Sequence, residues 1–481
     1  MGLSLIVGPA NAGKVALLLG RYRAALEQEP VLVVPNRAEV ERIERELLAG
    51  SPALLGGSIG TFDDLFRRVG ARAGGERLGD VQRRLVLASV VRGASLNGLS
   101  ASARYPGFAD ALGRAIADAG AALVDPDELD GPLAALYDAY RTELDRLGLA
   151  DAELERRRAA ELASRDLDAW DGAPVFAYGF EDFTGAEWTL LEALAGRGEV
   201  TVSLPYEPGR AVFASLARTA GDLTGLADER VEELAPQPWD AAPALTHLER
   251  TLFADSTSPA DPPPLDGAVR FLEAAGSRAA LELVAEDVLE LLRGGVAAED
   301  VAVLCPSVDR YRAPLETAFG ALGVPYAIEG TLAVERTPFG RALLGLLRFA
   351  WLGGPRRSLF AFLRSSHSGL ARGRVDFVEG RLRGRAVSDP ARVEEEAVKL
   401  LGHALPLLDG LREAGPVTDA VRRAAGAMLR AAYGLEAPPA TDAAALDLRA
   451  HEAVRRALAE MDGWAGLAGA EPSREQVVAA L

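Results

Sequence analysis

Short apolar runs alternate with amphipathic stretches over the first part of the chain. The run at 3–7 is short and mostly apolar, and the run at 31–34 is continuous, which is typical of parallel strands that are buried on both faces. Residues 14–27 and 37–49 place apolar side chains three or four positions apart and predict helices. A further short strand is predicted at 58–60. The pattern therefore indicates an α/β domain that contains a parallel sheet.

Helical periodicity replaces this rhythm after about residue 65. Helices are predicted at 80–92, 107–120, 131–147 and 151–164. The strand–helix–strand order then returns at 174–178, 184–195 and 200–204. We therefore predict a first α/β domain over 1–64 and 169–253, with a helical insertion over 65–168.

Residues 254–267 read ADSTSPADPPPLDG and are predicted to be a linker, because three consecutive prolines fit neither a helix nor a central strand. A second alternation follows, with strands predicted at 269–272, 301–304 and 324–328 and helices at 278–293 and 309–322. We assign 268–336 to the first part of a second α/β domain. Residues 337–481 are rich in helical pattern and are predicted to be a second helical insertion, incomplete at its C-terminus.

A phosphate-binding loop is predicted between the first strand and the first helix. Its residues are Gly8, Pro9, Ala10, Asn11, Ala12, Gly13, Lys14 and Val15, which form G-x-x-x-x-G-K followed by valine. In such a loop, backbone N–H groups and the lysine ammonium face phosphate oxygens. Lys14 and Lys399 are the only lysines of the chain, whose other 50 basic residues are arginines, so a lysine at this position is informative.

The metal-binding half of a nucleotide site is missing from the sequence. Val15 stands where a serine or threonine hydroxyl would bind Mg²⁺. Glu181 and Asp182 follow the strand at 174–178, but no acidic pair ends it, and first-turn acids of the next helix explain them equally well. We therefore predict no catalytic residue and no metal ligand in this chain, and weak ATP binding that is independent of magnesium.

The remaining composition excludes several classes of protein. One cysteine, Cys305, rules out an intramolecular disulfide and an iron–sulfur cluster held by this chain alone. The histidines lie far apart and lack zinc-ligand spacing; they are His247, His367, His403 and His451. No apolar run reaches the length of a membrane span, and the N-terminus lacks the basic region of a signal peptide. We expect a cytoplasmic protein that does not contact a membrane.

The net charge is −18, yet residues 354–385 carry eight arginines against only Asp376 and Glu379. This stretch is a candidate DNA-binding surface, with phenylalanines at 360, 362 and 377 available for stacking. The candidate contacts are Arg356, Arg357, Arg364, Arg372, Arg374, Arg381, Arg383 and Arg385. A solvated helical surface explains the stretch equally well. The arginines at 156–158 lie among acids and are predicted to form an ordinary helix face.

Several motifs together resemble a known family. The chain is similar to UvrD-like superfamily 1 helicases in GPANAGKV, VLVVPNRAEVERIERELL and IGTFDDLFRRV. Four further segments resemble the B subunit of AddAB-type helicase–nucleases; they are VFAYGFEDFTGAEWTLLEAL, FLEAAGSRAALELVAEDVLELLRGG, AEDVAVLCPSVDRYRAPLETAFGALGVPYAIEG and TPFGRALLGLLRFA. The resemblance covers residues 1 to about 370, and its specificity lies in the order of the motifs.

The resemblance implies two RecA-like P-loop domains with parallel sheets, each carrying a helical insertion. It implies that Thr61 and Phe62 line the DNA path, and that Tyr178-Gly179 stands where motor helicases have an Asp-Glu pair. Pro306 likewise replaces an arginine that active motors often have. The family continues into a C-terminal PD-(D/E)XK nuclease domain with a four-cysteine cluster, which we expect this chain to lack.

The sequence therefore predicts a non-motor, helicase-fold subunit of a complex that processes DNA double-strand breaks. Its expected partners are DNA and a motor helicase subunit. An active P-loop ATPase or helicase with unorthodox metal ligands is the first alternative. A structural scaffold that contacts neither nucleotide nor DNA is the second.

Overall fold

A computed structural model describes residues 2–49, 53–71, 76–94, 96, 98–105, 107–237, 241–254, 261–434 and 441–481 of the chain. The chain divides into two compact units, the first formed by 1–238 and 334–481 and the second by 239–333. Six residues of the predicted linker, 255–260, lie outside the described residues, and the described remainder of the linker contains no helix or strand.

The strands are β1 (Gly2–Val7), β2 (Val31–Val33), β3 (Ser58–Gly60), β4 (Glu76–Arg77), β5 (Leu149–Ala150), β6 (Val175–Ala177), β7 (Glu199–Leu204) and β8 (Val231–Glu233). Within the described residues, six of them form one sheet in the order β3-β2-β6-β7-β1-β8, and β4 pairs with β5 in a second, two-stranded sheet. Neighbouring strands of the larger sheet are parallel throughout. The predicted α/β class with a parallel sheet is confirmed.

The helices are α1 (Lys14–Ala24), α2 (Arg37–Leu48), α3 (Phe62–Gly70), α4 (Asp80–Gly93), α5 (Phe108–Ala121), α6 (Gly131–Leu147), α7 (Ala152–Arg165), α8 (Gly185–Ala195), α9 (Ala217–Ala227), α10 (Pro243–Thr251), α11 (Ser277–Arg293), α12 (Val308–Leu322), α13 (Pro338–Leu352), α14 (Arg356–Leu363), α15 (Arg372–Gly384), α16 (Pro390–Leu401), α17 (Pro406–Arg412), α18 (Val417–Tyr433), α19 (Asp442–Ala468) and α20 (Arg474–Ala480). Helices α10–α12 belong to the second unit. Among the described residues, no helix is both long and apolar enough to cross a membrane.

Helices cover both faces of the larger sheet. Along β1, Leu5 packs into the cluster that includes residues of α3, α7, α8 and α9, whereas Ile6 packs into the cluster of α1 and α2. Both side chains are fully buried. Successive side chains of a strand point to opposite faces, so a strand covered on both sides is apolar at most positions. This explains the short, mostly apolar runs of the sequence.

The remaining helices of the first unit share one hydrophobic cluster. It contains Leu85 of α4 and Tyr140 of α6 together with Phe339 of α13 and Leu458 of α19. The contact therefore joins helices from the two stretches, 65–168 and 337–481, that the sequence assigns to separate insertions.

A side chain of α19 caps α4. The Glu460 carboxylate accepts a hydrogen bond of 2.9 Å from the backbone N–H of Val81, one of the N–H groups at the start of α4 that have no partner within the helix. A carboxylate at a helix N-terminus also interacts favourably with the helix dipole. Glu460 thereby fixes α19 against the first turn of α4.

We expect Glu460→Ala to lower the free energy of unfolding by about 1 kcal/mol, the typical cost of removing a helix cap. Urea denaturation followed by circular dichroism measures this loss. The matched control is Glu452→Ala on the same helix, which removes an exposed ion pair with Arg455 at 3.4 Å and should change stability by less than about 0.5 kcal/mol. Equal losses in the two variants would contradict the capping role.

The second unit has a small core between α11 and α12, formed by Leu281, Ala285, Val288, Ala318, Phe319 and Val324. The segments 269–272, 301–304 and 324–328 are not strands, because the described residues offer them no neighbouring strand for a hydrogen-bond ladder. The side chains of Phe271 and Leu304 are 88% and 92% exposed. This corrects the prediction that these three segments are strands.

Candidate functional site

The predicted phosphate loop lies at the carboxyl edge of the larger sheet, where β1 runs into α1 between its neighbours β7 and β8. Asn11 and Gly13 adopt left-handed backbone conformations, with φ of 58° and 82°. Gly13 begins α1 without a side-chain cap, and no acidic residue lies in the first turn of the helix. Among the described residues, the backbone N–H groups at this helix start therefore have no competing side-chain acceptor, as in loops that bind phosphate.

The segment that follows β8 lies against this loop. The backbone N–H of Leu234 donates to the carbonyl of Val7 over 2.8 Å. A Cβ atom at Gly8 would lie 2.8 Å from the carbonyl oxygen of Leu234, and one at Gly13 would lie 3.1 Å from the amide nitrogen of Gln237. Glycine is therefore required at position 8 for close backbone approach and at position 13 for the left-handed turn.

Lys14 folds back over the loop. Its ammonium donates hydrogen bonds to the carbonyls of Gly8 at 2.8 Å and Pro9 at 2.5 Å. Partial burial lowers the pKa of this lysine from its ordinary value. The ammonium is bound by neutral carbonyls and by no carboxylate of the described residues, so a phosphate group can compete for it. The loop amides and Lys14 therefore fit the anionic part of ATP.

The other half of the site does not fit a metal–nucleotide complex. Val15 is half-buried and packs against the apolar cluster of α1 and α2. At the end of β6, the hydroxyl of Tyr178 accepts a hydrogen bond from Arg42 over 3.2 Å. Gly179 has a φ of 86°, and a Cβ there would lie 3.1 Å from Cδ of Pro35. An acidic side chain at position 179 would therefore be strained as well as crowded.

The acids that follow β6 do not replace the missing pair. Glu181 and Asp182 are exposed and precede Thr184, which caps α8. The first-turn acid of that helix is Glu187, whose carboxylate accepts from the backbone N–H of Thr184 over 2.8 Å. The interpretation of Glu181 and Asp182 as first-turn acids is thus wrong. Across the part of the chain that the structure describes, no cluster of His, Cys, Asp and Glu is arranged to hold a metal.

Thr61 and Phe62 have structural contacts. Thr61 caps α3, and its backbone N–H and hydroxyl donate to the carboxylate of Asp64 over 2.8 and 3.0 Å. Burial opposes ionisation of Asp64, but the hydrogen bonds from Thr61 together with the charges of Arg67 and Arg37 lower the pKa of this carboxyl. The Phe62 side chain is buried, with its ring centroid 4.9 Å from that of Phe180. Its ring therefore belongs to the core, and DNA contact at Thr61 stays a prediction.

A cavity of about 220 Å³ lies between α3 and α7 and was not anticipated from the sequence. Its charged lining residues are Asp63, Arg67, Arg77, Glu155, Arg156 and Arg158. Arg156 binds Asp63 over 2.8 Å, across 93 sequence positions, and burial raises the pKa of Glu155. The arginines at 156–158 are thus not a simple helix face balanced by its own acids. No sequence pattern relates positions so far apart.

Four of the eight candidate DNA-contacting arginines are held by protein groups. Two of them donate hydrogen bonds to backbone carbonyls: Arg356 to Val387 over 2.9 Å, and Arg374 to Leu401 at the end of α16. The other two form ion pairs: Arg364 with Asp376 at 3.0 Å, and Arg385 with Glu396 at 3.1 Å. These contacts explain the four residues structurally and reduce their availability to phosphate.

The other four point to solvent. The side chains of Arg357, Arg381 and Arg383 make no hydrogen bond or ion pair with any described residue. Arg372 is 84% exposed and lies 3.9 Å from Asp376. Of the three phenylalanines considered for stacking, those at 360 and 362 are buried, whereas Phe377 is 59% exposed.

Comparison with known proteins finds one matching family model and several similar curated proteins. Residues 5–249 match the family model described as ADDB, N-terminal. Similar curated proteins are each named as the B subunit of an ATP-dependent helicase/deoxyribonuclease and come from Desulforudis audaxviator (29% identical over 429 residues), Desulfitobacterium hafniense (27% over 436) and Pelotomaculum thermopropionicum (28% over 435). Each alignment covers 79% of this chain and 35% or 36% of the relative. The chain thus spans about a third of the length of these relatives.

Proposed function

Since the chain belongs to the AddB family, whose N-terminal region it matches over residues 5–249, we propose that it acts as a non-motor, helicase-fold subunit of a DNA break-processing helicase–nuclease complex. In this role it binds DNA and a motor helicase subunit. The names of the curated relatives support membership of such a complex.

The non-motor assignment rests on one observation: the site keeps groups that bind phosphate but lacks the side chains that bind Mg²⁺ and position the attacking water. Lys14 and the backbone amides of the loop retain the groups that hold phosphate. Val15 and Gly179 leave no oxygen where Mg²⁺ and the attacking water require one. We therefore propose weak nucleotide binding that is independent of magnesium, without hydrolysis of motor-like rate.

Within this proposal, the second unit belongs to a second RecA-like domain. The exposed apolar side chains of Phe271 and Leu304 support this, because extended segments with such residues are suited to the interior of a sheet. Such a domain requires hydrogen-bonding neighbours for 269–272 and 301–304, which the described residues do not supply.

DNA binding is tested through its dependence on salt. Each arginine that neutralises a phosphate releases bound counterions and contributes about 0.7 to the slope of log K against log salt on a single strand. We expect the triple variant Arg372→Ala, Arg381→Ala, Arg383→Ala to lower this slope by about 2, measured by fluorescence anisotropy at several salt concentrations.

The matched control replaces three exposed arginines elsewhere, Arg165, Arg218 and Arg455, each of which lies within 4.0 Å of an acid on its own helix. This control should leave the slope unchanged. Equal slopes in wild type and the first triple variant, with circular dichroism showing intact helices, would mean that these arginines are only solvated surface.

A further inference from the structure

Helix α15 presents an unusual solvent face. Its buried side consists of Val375, Val378, Glu379 and Leu382. The opposite side carries Gly373, Phe377, Gly380 and Gly384, whose spacing of four, three and four residues places them on one stripe of a helix. A Cβ atom at any of the three glycines would meet nothing within 4 Å, so the stripe is open to solvent.

The stripe has one large apolar side chain at its middle and positive charge along its edges. The ring of Phe377 is 59% exposed, between glycines one turn before and one turn after it. Arg372 and Arg383 are eleven positions apart, so they lie on nearly the same face, about 16 Å from each other along the axis. Arg381 lies on the other edge of the stripe, one turn after Phe377.

The protein neutralises the charge of these edges only in part, through Asp376, which lies 3.9 Å from Arg372. Acidic residues outnumber basic ones in the chain by 70 to 52, yet the side chains of Arg381 and Arg383 have no partner among the described residues. Arg381 and Arg383 lie on opposite edges of the stripe, so a polyanion lying along it can interact favourably with positive charge on both sides. The surface is therefore complementary to a ligand with several negative charges.

The exposed ring of Phe377 favours single-stranded over double-stranded nucleic acid. A base in a duplex is stacked on its neighbours and cannot offer its face, whereas the bases of a single strand can stack on an aromatic side chain. An arginine-lined stripe with an aromatic ring at its centre is thus suited to a single strand, with phosphates at the edges and a base over the ring.

We propose that α15 is a binding surface for single-stranded DNA, on which Phe377 stacks against a base while Arg372, Arg381 and Arg383 contact phosphates. This rests on the DNA binding proposed above and adds the strand state, the stacking residue and the helix face. Phe377 supplies base contact and the arginines supply backbone contact, so the two contributions are separable.

The test uses fluorescence anisotropy with an oligothymidylate of about 20 nucleotides, an abasic oligonucleotide of the same length and a duplex. Wild type should bind the oligothymidylate about tenfold more tightly than the abasic strand. Phe377→Ala should bind both single strands with the affinity that wild type has for the abasic strand. The slope of log K against log salt should not change, because the arginines are still present. Phe377→Trp should retain the preference, and Tyr105→Ala, which removes an exposed aromatic outside α15, should behave as wild type.

The outcomes separate this inference from the proposed function. If wild type binds the oligothymidylate and Phe377→Ala binds it equally well, stacking at α15 is excluded while DNA binding stands. If wild type prefers the duplex, the single-strand assignment is overturned. If wild type binds none of the three probes, the proposed DNA binding fails and this inference fails with it.

Discussion

With ATP, Mg²⁺ and single-stranded DNA present, the chain is expected to hydrolyse fewer than about one ATP per second. Val15 offers no hydroxyl to the metal, and Gly179 lies against Pro35 where an acidic side chain would be needed. Metal coordination and positioning of the attacking water each contribute orders of magnitude to phosphoryl transfer. A coupled steady-state assay of released phosphate measures the rate.

Two variants sharpen this test. Lys14→Ala should leave the hydrolysis background unchanged but weaken the binding of a fluorescent ATP analogue, with or without Mg²⁺, because it removes the ammonium that lies over the loop and is proposed to bind phosphate. Val15→Thr should not restore turnover, since the end of β6 still lacks its acids. DNA-stimulated turnover above about 1 s⁻¹ that Lys14→Ala abolishes would refute the non-motor assignment.

The second large effect is expected at a buried polar cluster in the helical part of the first unit. Nε2 of His367 lies 2.8 Å from Oδ2 of Asp447, and the hydroxyl of Tyr433 donates to the same oxygen over 2.8 Å. The side chains of His367 and Asp447 are buried. Asp447→Ala removes the acceptor and leaves the buried ring nitrogen of His367 and the half-buried hydroxyl of Tyr433 without it, so we expect a loss of about 3–5 kcal/mol in the free energy of unfolding.

Urea denaturation of three variants measures how much each hydrogen bond of the cluster contributes to this loss of stability. Tyr433→Phe removes a single hydrogen bond and should cost about 1 kcal/mol. Asp447→Asn keeps the shape of the side chain and one acceptor oxygen, so its cost should fall between those of Tyr433→Phe and Asp447→Ala. A loss below about 1 kcal/mol in Asp447→Ala would show that the cluster is hydrated and does not hold these helices together.

The first α/β region could be predicted from the sequence because its strands are buried on both faces. Short, mostly apolar runs located β1, β2, β6 and β7, and the glycine–lysine loop located the start of α1. The strand β8 was missed, since Val231-Glu232-Glu233 at the sheet edge carries no apolar run. The resemblance to the AddAB-type family is confirmed at the level of the family by the match over 5–249.

The sequence could not show which arginines are free. Arg374 and Arg381 lie on the same helix, and the sequence does not distinguish them. Arg374 donates a hydrogen bond to the carbonyl of Leu401 at the end of α16, whereas Arg381 has no partner among the described residues. Such a difference depends on the packing of neighbouring helices. The same holds for the cavity between α3 and α7, where Asp63 meets Arg156 across 93 positions.

The cap that Glu460 provides for α4 also constrains how the chain acquires its structure. Val81 and Glu460 are separated by 379 positions, so at about 5–20 residues per second a ribosome needs roughly 20 to 75 seconds between them. During that interval Leu85 and Val86 of α4 cannot pack against the α19 residues of their hydrophobic cluster, because these have not yet been synthesised. Contacts between residues so far apart in the sequence form slowly and late in folding. Until α19 has emerged from the ribosome, the nascent protein therefore exposes an apolar helix surface to which chaperones can bind.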